Sequence, residues 1–99
     1  MQAILTKTQN DMAEIFTMLE DADNTNKNDI ENYIVQMGIS AAEALALGLK
    51  SLTGLARGIA AMCLIRIGED SIPYLKREAI KENDSSWIYY YLIQEIECK

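Results

Sequence analysis

The sequence predicts an all-α domain of about six helices in three antiparallel pairs. Three observations carry this reading. Apolar residues recur at i, i+3, i+4 and i+7, the spacing of one helical face, along most of the chain. One proline and five glycines in 99 residues leave little room for turns, which favours long helices. Gly38 and Gly68, 30 residues apart, each end a similar tail, YIVQMG and CLIRIG, and a third tail, YLIQEI, ends the last helix without its glycine. A repeat near that length describes an α-solenoid, in which each helix pair buries its face on the next, with units 8–37, 40–67 and 70–97.

The first helix is expected over 8–21. Thr8 and Asp11 stand at capping-box spacing, and Met12, Ile15, Phe16 and Leu19 share one face. Residues 21–28, DADNTNKN, are polar and rich in Asx residues, and read as a loop. The second helix starts near Asn28, carries Ile30, Tyr33, Ile34 and Met37, and closes at Gly38. The third, rich in Ala and Leu, starts at Ser40 as cap and runs to about Leu52. The fourth runs from about Gly54 to Ile67 and is apolar nearly all round, which places it in the middle of the stack, buried on more than one side. Gly54 and Gly58, with Ala60 and Ala61, predict the close approach of a neighbour there. After Gly68 come Glu69 and Asp70 as a two-residue connection. Ser71 is the cap of a fifth helix to Lys81, with Pro73 in its first turn, where a missing N–H costs nothing. Ile72, Leu75 and Ala79 form its apolar face. Asp84 caps a sixth helix that continues to about Glu97.

Composition bounds the function. Nearly half the residues are apolar, enough for the core of one domain. No signal-peptide pattern opens the chain, and the longest nearly uncharged run, Ser51 to Ile65, contains Arg57 and falls short of the ~20 residues that span a bilayer. Cys63 in an apolar helix and Cys98 at the tail read as free thiols of a reducing compartment, so a cytoplasmic location is expected. Fifteen acids against nine bases give a net charge of −6. Residues 1–37 hold seven acids and two bases, 38–68 one acid and three bases, and 69–99 seven acids and four bases. A negative field repels phosphate backbones, so nucleic acid is not an expected ligand, whereas a basic partner would be steered to the chain's two ends.

Residues 38–97 resemble HEAT repeats, in particular the short HEAT-like repeats of the phycobiliprotein-lyase type. Ala56, Arg57, Ala60, Ala61, Cys63, Leu64, Ile67 and Gly68 fall on the pattern V-R-x-x-A-A-x-A-L-x-x-I-G. Ser71, Ile72, Pro73 and Leu75 resemble the A-I-P-x-L that follows, and Asp84 and Ile88 the next aspartate and its valine. Tyr89 stands where the pattern has arginine, and Gly54 where it has aspartate, so the stacked Arg–Asp ladder of such repeats is incomplete. The resemblance implies a helical surface that binds proteins.

Chemistry is poorly supplied. With no histidine, the commonest general base and metal ligand is missing. Nothing suitable activates Cys63. The acid pairs Glu20–Asp21, Glu69–Asp70 and Glu82–Asp84 lie at helix ends, where solvation accounts for them. Asp21, Asp23, Asn24 and Asn26 hint at calcium, but the glycine and terminal glutamate of an EF-hand are missing. No cofactor and no metal are expected.

Two surfaces are candidates for a partner. On the sixth helix Ser85, Ile88, Tyr89, Leu92, Ile93 and Ile96 form the core side, leaving Trp87, Tyr90, Tyr91, Gln94 and Cys98 outward, with Glu95 and Glu97 beside them. Grouped Trp and Tyr outside a core face are the composition of an interface anchor, for another protein or for a homodimer through this helix. The second is the acidic end, Glu20, Asp21, Asp23, Asp29 and Glu31, suited to lysine and arginine clusters. Small, acidic and non-catalytic, the chain is similar in size and charge to bacterial contact-dependent inhibition immunity proteins. The resemblance implies that it binds and neutralises a basic toxin such as a nuclease. The alternative is a HEAT-like adaptor or scaffold.

Overall fold

The computed structural model describes residues 7–81 and 86–98, with side chains from residue 12 onward. Among them the chain is all-helical. Helices α1 (Lys7–Glu20), α2 (Lys27–Gln36), α3 (Ile39–Gly48), α4 (Gly54–Ile67), α5 (Ile72–Lys81) and α6 (Ser86–Glu97) follow one another, with 3₁₀ turns at Leu49–Ser51 and Gly68–Ser71. None of these helices is long and apolar enough to cross a membrane. The side chains of Thr8 and Asp11, and residues Glu82, Asp84 and Ser85, lie outside the described residues, and with them the expected capping box, the sixth cap and one expected core position.

Glycine sets two junctions. Gly38 (φ 64°) and Gly68 (φ 86°) adopt backbone angles that side chains with a Cβ rarely reach, so each turns the chain out of α2 or α4. At the first junction the Gly38 carbonyl accepts the first hydrogen bond of α3, from Ala42 N–H at 3.1 Å. Ser40 therefore lies inside the first turn of α3 and is not its cap. That helix also stops at Gly48, short of Leu52, as the chain tightens into a 3₁₀ turn. At the second junction a 3₁₀ turn replaces the expected two-residue connection. Ser71 precedes α5 as expected, with its buried hydroxyl donated back to the Leu64 carbonyl at 3.0 Å, which ties α5 to the last turn of α4.

The helices lie in two rows. α1 packs on α3 and α3 on α5, while α2 packs on α4 and α4 on α6. α5 and α6 make the closest pair and α3 and α4 also lie together. α1 and α2 barely touch, so the first of the expected units is held through its neighbours in the rows. The assembly measures 42 × 36 × 23 Å.

The centre belongs to α3, not to α4 as the sequence suggested. Ala41, Ala42, Ala44, Leu45 and Ala46 are all fully buried, because α3 touches α1, α4 and α5 and its small side chains let all three approach. α4 buries Ile59, Ala60, Cys63 and Leu64 but exposes Leu55 and Met62. Gly54 and Gly58 face open space, so neither serves a close helix contact. The glycine that does is Gly48, where a Cβ would stand 2.7 Å from Cε2 of Phe16 on α1. The α6 register is as read: Ile88, Tyr89, Leu92, Ile93 and Ile96 are buried. Glu78, on the core side of α5, is also buried, with Arg77 Nε at 3.3 Å and Lys81 Nζ at 3.4 Å from its carboxylate. Arg77 reaches on to Glu43 of α3 at 3.5 Å.

Candidate protein-binding surfaces

The acidic end divides once its side chains are placed. Glu20 closes α1, Asp21 opens the loop and Asp29 lies in the first turn of α2, where the helix dipole favours a negative charge. All three carboxylates are exposed. Asp23 turns onto its own loop. Its carboxylate accepts hydrogen bonds from Thr25 Oγ1 (2.6 Å), Thr25 N–H (2.8 Å) and Asn26 N–H (3.0 Å). The Asn26 side chain answers by accepting from Asp23 N–H at 2.7 Å and donating to the Asp21 carbonyl. Bonds to the charged form, the Thr25 hydroxyl first, hold the Asp23 carboxyl below its ordinary 3.8. Glu31 is also occupied, with Arg66 Nη1 at 2.8 Å from its carboxylate. The same Nη1 donates to Asn32 Oδ1. Of the five acids proposed for a partner, Glu20, Asp21 and Asp29 have carboxylates with no ion-pair partner among the described residues, while Asp23 and Glu31 are spent within the fold.

On α6 the sequence-derived face stands out to solvent. Trp87 is 60% exposed, Tyr90 54% and Tyr91 52%, and Gln94, Glu97 and Cys98 are exposed with them. Sequence reasoning missed the neighbour that completes this face. Arg57 of α4 lies over the Trp87 ring, 5.5 Å from its centroid, so α4 and α6 contribute to one surface. It also missed the stripe of Leu55, Gly58 and Met62 on α4, although these residues repeat at i, i+3 and i+7, because an all-apolar helix reads as buried on every side. α4 stands between α2 and α6, so the acidic end and the α6 face are two separate patches.

The two thiols differ. Cys63 is buried, its Sγ 3.8 Å from the Glu31 carbonyl oxygen. Burial, helped by the Glu31 charge, pushes its thiol up to about 12, so it carries no thiolate at neutral pH. Cys98 is free and exposed. Among the described residues no three Cys, Asp or Glu side chains are grouped to hold a metal ion.

No protein-family model, curated protein or solved structure matches the chain.

Proposed function

We propose that this chain is a non-catalytic protein-binding module built as a HEAT-like helical stack, and that it binds and neutralises a basic protein, in the manner of an immunity protein acting on a toxin such as a nuclease. The observation that carries the reading is the α6 face. Trp87, Tyr90 and Tyr91 are each more than half exposed on a helix whose other side is fully committed to the core. Side chains of this kind supply interface anchors because they add large contact area at low entropic cost. The two rows of helices agree with a repeat stack. Glu20, Asp21 and Asp29 would speed the approach of a basic partner, and the rings, with Gln94 and Glu97, would slow its departure. The module works without cofactor or metal and in the cytoplasm.

A second reading, a HEAT-like adaptor for a neutral partner, draws on the internal use of Asp23 and Glu31 and on exposed Leu55 and Met62. Homodimerisation through α6 would use the same rings, against the repulsion of two chains of net charge −6.

The test is capture of partners from the native cells by the tagged chain at low and high salt. A single basic, nuclease-like protein, released by salt and by charge reversal at Asp21 and Asp29, supports the inhibitor. A neutral partner that survives salt and is lost with Trp87→Ala supports the adaptor.

A further inference from the structure

We propose that the hollow between α1 and the end of α3 receives a lysine or arginine side chain of the partner, its stem on the apolar floor and its cation at Glu20. This rests on the reading of the chain as a binder of a basic protein. The hollow, about 460 Å³, is lined by Met12, Phe16 and Glu20 of α1 and by Leu47, Gly48 and Leu52 across from them. Met12, Phe16 and Glu20 stand four residues apart, so they form one row along α1, about 12 Å from end to end. The row is apolar at its first two positions and ends on a carboxylate. Gly48 shapes the floor, because with no side chain it lets the Phe16 ring lie directly against α3. Met12, Phe16 and Leu52 are partly buried against the core, so the floor is continuous with it.

Charge selects the occupant. Glu20 is exposed and has no ion-pair partner among the described residues. It closes α1, where the helix dipole is negative, and no base stands in the last turn of that helix. Asp21, also exposed, follows it. One end of an apolar hollow thus carries a negative potential. Lysine and arginine divide in the same way: a flexible apolar stem packs on apolar surface while the charged head stays at its edge. An acidic side chain would meet Glu20 and Asp21 with like charge, and a second copy would bring its own net charge of −6.

The experiment follows the methionine methyl signals of the full chain by NMR during titration with hexylammonium, which supplies such a stem and cation. Hexanoate and hexanol, of the same length, are the comparison probes. The Met12 methyl reports on the hollow. The proposal expects hexylammonium to move the Met12 signal and to bind at least about tenfold more tightly than hexanoate. Glu20→Gln, an exposed change that keeps the size of the side chain, weakens hexylammonium by about threefold or more and leaves hexanol unchanged. The partner captured from native cells, added to the same sample, also moves Met12. If the three probes bind alike, or Glu20→Gln is without effect, the hollow is an unselective apolar surface and the proposal falls. Equal movement of the exposed Met62 methyl on α4 marks the same unselective adsorption and overturns it too. If a basic partner binds with Met12 unmoved, the proposal falls while the basic partner stands. If the partner is neutral, both fall. A Met12 signal that shifts with chain concentration alone overturns the proposal in favour of a second copy.

Discussion

The hydroxyl of Tyr89 on α6 donates to the main-chain carbonyl of Ala46 on α3, 3.1 Å away, in the fully buried centre of the molecule. One side chain thereby ties the terminal helix, which carries the aromatic face, to the most enclosed helix of the fold. Here a neutral ring with one donor fills the buried centre. A buried phenol both adds apolar area and satisfies its polar tip. Tyr89→Phe is expected to cost about 1 kcal/mol, the net worth of one hydrogen bond, and Tyr89→Ala about 3–5 kcal/mol through the cavity it opens. Urea unfolding monitored by circular dichroism reads both.

Gly58 and Gly48 separate cleanly by mutation. Gly58→Ala lies in an open, exposed helix interior and is expected to stabilise by up to about 1 kcal/mol through helix propensity alone. Gly48→Ala must displace the Phe16 ring and is expected to destabilise by about 1–3 kcal/mol. Phe16→Leu in the same chain would return part of that loss. Melting temperatures of the three variants test the pair.

Asp23 makes the loop pH-dependent. Its carboxyl titrates below 3.8 in the folded chain, so its contribution is complete above 3.8 and is lost as pH falls through the lower folded value. A carbon-detected NMR titration should place its midpoint below 3.8. Thr25→Ala removes the largest cause and should move the midpoint back up.

Thiol labelling distinguishes the cysteines. Native protein at mildly alkaline pH should take up one equivalent of a thiol reagent, at Cys98, and a second only on unfolding. With the Cys63 thiol raised to about 12 from 9.0, the unfolded chain ionises first. Stability therefore falls as pH climbs from 9.0 towards 12. Cys63→Ala should flatten that part of the curve.

Much of the architecture was legible because it depends on local chemistry. Gly38 and Gly68 marked their junctions, Pro73 marked the start of α5, and the period of α6 separated Ile88, Leu92 and Ile96 from Trp87 and Tyr91. Contacts between distant segments were not legible. Four buried alanines make α3 the central helix, yet alanine carries a weak apolar signal, and the apolar α4 took that place in the reading. Gly48 owes its role to Phe16, on another helix. The burial of Glu78 under Arg77 and Lys81 left no mark in the sequence pattern. At the candidate surface, the exposure of the α6 rings followed from periodicity. The spending of Asp23 and Glu31 inside the fold, and the pairing of Arg57 with Trp87, needed three-dimensional placement.

The most direct test of the central claim is the dissociation constant for the partner captured from native cells, measured against salt with the intact chain and with Trp87→Ala. The account predicts a basic protein whose binding weakens steadily as salt rises and loses about 2 kcal/mol or more without the Trp87 ring. A neutral partner whose affinity ignores both salt and Trp87→Ala would contradict it.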